Sequence, residues 1–119
     1  MRKMMIIAVT ASVVAISGAA AQQPTPLSAY VDANGFLDVQ ALTCAQLADT
    51  WQGDANRLMA WYSGWYNGLA RKHYWDWVKS TETEHLVIEY CKTHRDIRII
   101  DALAVQMNDE RMRLGIDMQ

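Results

Sequence analysis

The sequence predicts an all-α fold, a small single-domain bundle of about four helices with one disulfide. Three observations support this prediction. Apolar side chains recur at helical spacing in several segments after residue 42. Two capping boxes, each a Thr followed three residues later by Gln or Glu, indicate helix starts. The chain has two cysteines, Cys44 and Cys91, and in an exported protein such a pair predicts one bridge.

Residues 1–21 have the three parts of a secretory signal peptide. Two basic residues follow the first methionine, then comes an apolar run too short to span a bilayer, and Ala19 and Ala21 satisfy the small-x-small rule for cleavage. We therefore expect an exported chain whose mature form begins at Gln22. Removing 21 of the 119 residues leaves 98, which is enough for one domain.

Residues 22–41 predict a polar leader and a turn. Pro24 and Pro26 disfavour regular structure at the start of this segment. Farther on, Asn34 and Gly35 form a turn signal between apolar residues, which could be a short hairpin or a simple turn. The helical domain is therefore assigned to residues 42–119.

The first two helices are predicted within "TCAQL" and after the break at "QGD". Thr43 can cap the first helix, and Gln46 completes a capping box. Asp54 can cap the second helix, which the apolar pattern extends from about residue 55 to residue 69 or 70.

The last two helices follow a bridging segment of mixed character. Thr81 and Glu84 form a second capping box that opens a helix through "EHLVIEYCK". After "THRD" a final helix is expected, and its charged C-terminal end should fray from about residue 109. The apolar face of this final helix comprises Ile97, Ile100, Leu103, Ala104 and Met107.

The second helix carries a broad apolar stripe, with members at i, i+3, i+4, i+7, i+8 and i+11. Such a stripe usually forms a core face, but its aromatic rings together with Tyr74, Trp75 and Trp77 need more interior than a domain of this size offers. We therefore expect part of it to meet protein, where Tyr and Trp are favoured. Gly64 and Gly68 on this helix would let another backbone or ring approach closely. The candidate client or dimer surface comprises Leu58, Trp61, Tyr62, Trp65, Tyr66 and Leu69, with Trp75 and Trp77 as outliers.

The charge balance argues against nucleic acid as a partner. Once Arg2 and Lys3 are removed with the signal peptide, nine basic residues stand against thirteen acidic ones, a net charge of −4 near pH 7. Below pH ~2 the carboxylates are protonated and the three histidines are charged, so the net charge becomes about +12. Such a swing weakens a compact state through self-repulsion. No second apolar stretch is long enough for membrane insertion.

The sequence assembles no catalytic or metal site. Ser63 does not lie in a strand–Gly-x-Ser-x-Gly–helix setting. Cys91 and His94 have the spacing of a metal pair or of a nucleophile with its base, but an oxidised cysteine can be neither. Glu82 and His85 have the spacing of one half of a di-iron site, and the other half is missing. We therefore predict no enzyme, no cofactor and no metal.

Three segments, "FLDVQALTCAQL", "LMAWYSGWYNG" and "HLVIEYCKTH", resemble in order and spacing the HdeA/HdeB family of periplasmic acid-stress chaperones. The resemblance covers about residues 36–103. It implies a periplasmic, all-helical domain in which a disulfide joins Cys44, at a Thr-Cys helix start, to Cys91. It also implies a homodimer near neutral pH. In acid, family members lose the dimer, partly unfold and bind denatured periplasmic proteins through apolar surface.

Linkage suggests how acid would act. A carboxylate whose pKa is depressed in the folded state contributes stability that is lost as the pH falls through the folded value, so we expect the dimer to weaken below about pH 4. The sequence does not distinguish among six candidate carboxylates: Asp49, Asp54, Glu84, Glu89, Asp96 and Asp101.

One segment departs from the family. "LARKHYWDW", between the second and third helices, is more aromatic and basic than in the better-known members. An alternative function therefore stays open, that of a constitutive periplasmic binding module with one dedicated envelope partner. A chaperone takes many unfolded clients in acid, whereas such a module takes one folded partner at neutrality.

Overall fold

The computed structural model describes residue 10 and residues 23–107. Three predicted features lie outside the described residues: the signal peptide (except residue 10), its cleavage site, and the tail expected to fray from about residue 109. Residues 23–107 contain no strand, and the predicted all-helical fold with four helices is confirmed. The elements in chain order are a 3₁₀ helix Leu27–Tyr30, α1 Cys44–Ala48, α2 Gln52–Leu69, α3 Trp77–Thr93 and α4 Ile99–Met107.

The segment before α1 is attached to the domain by several hydrogen bonds, one of which involves Leu27. Leu27 opens the 3₁₀ helix, its side chain is buried, and its backbone N–H donates to Asp54 Oδ2 at 2.9 Å. Farther on, the Asn34–Gly35 signal forms a simple turn. The Asp32 carboxylate accepts from the N–H groups of Asn34 and Phe36, and Gly35 takes a φ of +83°, which favours glycine.

The start of α1 is confirmed as a capping box. Gln46 N–H donates to Thr43 Oγ1 at 3.3 Å, and Thr43 N–H donates to Gln46 Oε1 at 2.9 Å. The same helix end is joined to the chain that precedes α4, because Cys44 N–H donates to the carbonyl of Ile97 at 2.8 Å. A helix of five residues is thereby held by tertiary hydrogen bonds.

The predicted start of α2 was wrong by three residues. The helix begins at Gln52 after the N-cap Trp51, so the expected break at "QGD" lies inside it. Asp54 does not cap the helix, because its carboxylate accepts the Leu27 N–H from the preceding segment. In the first turn this carboxylate still complements the positive end of the helix dipole.

The predicted start of α3 was also wrong. The helix begins at Trp77, four residues before Thr81, and its N-cap is Asp76, whose carboxylate accepts from Lys79 N–H at 2.8 Å. The Thr81 hydroxyl donates to the Trp77 carbonyl at 3.2 Å within the helix, so the capping box with Glu84 does not form. The N-cap is therefore Asp76, five residues before the predicted cap Thr81.

The Cys44–Cys91 disulfide is confirmed and lies in the core. It joins the first residue of α1 to α3 across a Cα–Cα distance of 4.6 Å. The two cysteines differ by 47 in residue number, and both side chains are fully buried. Both α1 and α4 pack against α3, whose buried residues Val87 and Cys91 lie in its C-terminal half. Residues 69–86 contain no buried residue. The core therefore involves α2 along most of its length but only the C-terminal half of α3.

Tyr62 and Tyr66, one turn apart on α2, are both buried but differ in hydrogen bonding. The Tyr62 hydroxyl donates to the carbonyl of Val39 at 2.5 Å, which attaches the segment before α1 to α2. The Tyr66 hydroxyl has no hydrogen-bond partner in the part of the chain that the structure describes. Burial is the main cause that raises the pKa of both phenols well above the ordinary tyrosine value.

This difference predicts opposite responses to removal of each hydroxyl. Tyr62→Phe should lower the free energy of unfolding by about 1 kcal/mol, because the half-buried Val39 carbonyl loses its donor. Tyr66→Phe serves as the matched control and should leave stability unchanged or slightly higher. Urea unfolding at neutral pH followed by circular dichroism measures both. Equal losses in the two variants would contradict this assignment.

Candidate protein-binding surface

The structure divides the eight residues of the candidate surface by burial. Three point into the core, one is half-buried against it, and four are exposed in the folded chain. The spacing explains the division, because positions four apart on α2 share one face and neighbouring positions turn away from it. Buried are Leu58, Tyr62 and Tyr66; Trp65 is half-buried; exposed are Trp61, Leu69, Trp75 and Trp77.

The rings on α2 form a continuous series of contacts from the core to the surface. Trp65 stacks on the buried Tyr66 with centroids 5.8 Å apart and an interplanar angle of 21°. Trp61 lies against Trp65 at 5.1 Å and meets Tyr62 edge-on at 5.7 Å. We call Trp61 and Trp65 the Trp pair. Because its rings rest on buried tyrosines, the pair is held in place and presents aromatic surface to water.

A cleft of about 1310 Å³ separates α2 from the N-terminal half of α3. It brings together five of the predicted surface residues and leaves out Leu58 and the Trp pair. Four large apolar residues that the sequence analysis did not assign to the surface also line it. Two of these four lie on α4 and belong to the apolar face predicted for the final helix. The predicted residues are Tyr62, Tyr66, Leu69, Trp75 and Trp77; the added ones are Met59, Tyr74, Leu103 and Met107.

The size and lining of this cleft favour a polypeptide over a small molecule. Its volume exceeds the range of roughly 300–1,000 Å³ typical of small-ligand pockets. Aromatic and thioether side chains make non-directional contacts, and such contacts accept many different apolar segments. No helix in the described part of the chain is long and apolar enough to cross a membrane.

The expected close approach at the two glycines of α2 is not made within the monomer. A Cβ added at Gly64 or at Gly68 would meet no atom within 4 Å, although both glycines line a small cavity with Tyr74 and Trp75. Glycine in a helix interior is less stable than alanine. Among the described residues, no close contact requires glycine at either position.

One candidate acid-sensing carboxylate is tied to the disulfide-bearing end of the domain. Asp49, the C-cap of α1, forms a two-pronged ion pair with the guanidinium of Arg95, which follows α3. This hydrogen bonding with Arg95, with the charge of the guanidinium adding to it, lowers the pKa of Asp49. The pair links the same two segments that Cys44 and Cys91 join covalently.

Among the other candidate carboxylates, the pKa of Glu89 is lowered and that of Glu84 is raised. The Lys92 ammonium lowers the pKa of Glu89, first through a hydrogen bond of 2.6 Å. Burial raises the pKa of Glu84, so ionisation of this group opposes folding at neutral pH and its protonation favours the folded state. Asp54 accepts the Leu27 N–H, and Asp101 pairs with Arg98 at 3.1 Å. Asp49 therefore has both a lowered pKa, so that acid removes its stabilising charge, and an ion pair that joins distant segments.

The Asp49–Arg95 pair predicts a pH-dependent loss of stability. Because the folded pKa of Asp49 lies below its unfolded value, the pair stabilises the fold above the unfolded pKa, and this contribution disappears as the pH falls through the folded value. Asp49→Asn should cause a small loss at pH ~7, since the exposed pair is screened by solvent, and no difference at pH ~2. Urea unfolding across this pH range measures it. A constant difference at all pH values would contradict the linkage.

The residues considered for chemistry do not converge in the structure. Among residues 23–107, no three His, Cys, Asp or Glu side chains are grouped as a metal site would require. Cys91 is oxidised in the disulfide, and His94 stacks on Tyr90 with ring centroids 3.7 Å apart. The Nδ1 atom of His94 also lies 2.9 Å from the Tyr90 carbonyl oxygen. These contacts use His94 for packing at the end of α3.

Comparison with known proteins identifies one family. The model of the HdeA/HdeB family matches residues 4–101, which is more than half of the chain and contains all three resembling segments. No curated protein and no solved structure matches the chain significantly.

Proposed function

The chain belongs to the HdeA/HdeB family, and from this membership we propose that it is a periplasmic acid-stress chaperone that binds acid-denatured proteins and prevents their aggregation. No cofactor or catalytic step takes part. Its clients are unfolded periplasmic proteins, and near neutral pH it forms a homodimer.

The observation that carries this proposal is the aromatic surface on and beside α2. The Trp pair and the cleft expose large apolar rings, which a soluble monomer rarely leaves to water without a binding role. Denatured proteins offer apolar segments of many sequences. A surface built from rings and methionine accommodates them because it imposes little geometric selection.

Acid would enlarge this surface. At pH ~2–3 the mature chain carries a large positive charge and loses the acid-sensitive ion pair of Asp49, so the packing between elements weakens. Loosening of α2 from the core would expose Leu58, Tyr62 and Tyr66 beside the Trp pair. The disulfide would keep α1 attached to α3 and so limit the opening.

The experiment that tests the function follows light scattering from an acid-labile client as the pH is dropped to about 2–3. The mature protein with its disulfide intact should suppress scattering in proportion to its concentration, and sedimentation should show a dimer near pH ~7 that weakens below about pH 4. Absence of suppression at any pH would favour the alternative, a binding module for one folded partner. Capture of a single periplasmic protein at neutral pH by this chain would then support that alternative. An intact dimer at pH ~2 would contradict the acid step.

A further inference from the structure

The connection from α2 into α3 exposes a cluster of rings. We call Leu69–Lys79 the aromatic tip, and every residue in it is exposed. Tyr74 is 83% exposed and Trp77 is 69% exposed, while the Trp75 and Trp77 rings meet edge-on at 4.9 Å. Residues 69–86 contain no buried residue, and the rings of the tip line one edge of the cleft beside α2. The tip is therefore an exposed aromatic surface.

The tip also concentrates positive charge. Of the seven Lys and Arg residues in the range 23–107, Arg71, Lys72 and Lys79 lie here. The tip has one acidic residue, Asp76, and its carboxylate is used as the N-cap of α3. Within the described range no ion pair involves the three tip cations.

The cations near the core have a different arrangement. Lys92 pairs with Glu89, Arg95 with Asp49, and Arg98 with Asp101. The three cations and one carboxylate of the tip leave a net charge of +2, whereas each of these three cations near the disulfide is paired with a carboxylate.

Arg71 occupies a backbone position that suits glycine. Its φ is +55°, and it follows the C-cap Ala70, with Arg71 N–H bonding to the Gly68 carbonyl and Lys72 N–H to the Asn67 carbonyl. This is a Schellman ending, in which the left-handed residue is usually glycine. A side chain here adds backbone strain and places a cation at the base of the exposed rings.

We propose that the aromatic tip docks on an anionic lipid surface. Trp and Tyr rings favour the headgroup region of a bilayer, where an apolar body and a polar edge are both satisfied. Lys and Arg beside them attract anionic headgroups. The mature chain is negatively charged overall near neutrality, so attraction to such a surface must come from a local cluster. This peripheral contact goes beyond the proposed chaperone function and requires no membrane-spanning helix.

Vesicle sedimentation at neutral pH tests the docking. The mature protein with its disulfide intact is mixed with vesicles of pure phosphatidylcholine or of phosphatidylcholine and phosphatidylglycerol in equal amounts. We expect binding to the anionic vesicles, little binding to the neutral ones, and weaker binding as salt is added. Failure to bind anionic vesicles at low salt would overturn the proposal, whatever the outcome of the chaperone assay.

Two substitutions of equal charge locate the contact. Lys79→Gln in the tip should weaken partitioning into anionic vesicles about fivefold, and Lys92→Gln near the disulfide should change it little. Arg71→Gly should weaken partitioning by a similar factor while thermal stability is unchanged or higher, because the left-handed backbone is relieved. Equal effects of Lys79→Gln and Lys92→Gln would show that only net charge matters, which contradicts docking by the tip. Tip variants that lose client suppression in acid but keep full vesicle binding would assign the tip to protein clients instead.

Discussion

Removal of the disulfide is expected to lower the free energy of unfolding by about 4 kcal/mol. The bridge closes a long loop, because Cys44 and Cys91 differ by 47 in residue number. It joins α1 to α3 inside the core. The five-residue α1 has little stability of its own and depends on this attachment. For a domain whose total stability is about 5–15 kcal/mol, the loss is large. The bridge is therefore expected to be the largest single contribution to the folded state.

Urea unfolding at neutral pH measures this prediction in three samples: the oxidised protein, the reduced protein, and the double variant Cys44→Ala with Cys91→Ala. The reduced protein keeps both sulfur atoms in the core, so it separates loss of the covalent link from loss of packing. Both altered samples should be strongly destabilised, and both should suppress client aggregation poorly in acid. Full stability after reduction would contradict the role assigned to the bridge.

Trp61→Ala is expected to cause the largest loss of client binding with the smallest loss of stability. Trp61 is 48% exposed and contacts Trp65 at a tilted angle, so its removal deletes surface and leaves the buried tyrosines in place. A central Trp in a protein interface contributes about 2 kcal/mol, which corresponds to roughly thirtyfold in affinity. The concentration of chaperone that half-suppresses scattering in acid should rise accordingly.

Trp51→Ala is the matched control for Trp61→Ala. Trp51 is 51% exposed, but it is the N-cap of α2 and lies outside both the Trp pair and the cleft. It should leave acid suppression nearly unchanged, and thermal unfolding at neutral pH should show that both variants fold. If the two variants suppressed aggregation equally well, the Trp pair would not be the client surface.

Local chemistry made several features predictable. The capping box of Thr43 and Gln46 involves residues three apart, so the sequence contains the whole interaction. The disulfide was predictable because the chain has only two cysteines. The four helices follow from apolar periodicity, and the family follows from motifs in a constant order. These features depend on near neighbours or on counts.

Features that depend on contacts between distant segments were not predictable. The start of α2 differs from the predicted position because Leu27 takes the Asp54 carboxylate, and nothing near Asp54 in the sequence indicates this. In α3 the sequence predicted Thr81 as the cap, and the structure has Asp76 instead. Likewise, the pairing of Asp49 with Arg95 depends on the fold that brings α1 to the end of α3.

By itself, the sequence determined the helical class, the disulfide, the family and an aromatic surplus on α2. Only the tertiary structure decided which rings are buried, since burial depends on what packs against each face of a helix. Tyr62 and Tyr66 face the core, Trp61 faces water, and Trp77 stays exposed because the core packs against only the C-terminal half of α3. Helical spacing defines a stripe, but the packing of the other helices decides how much of that stripe remains available for binding.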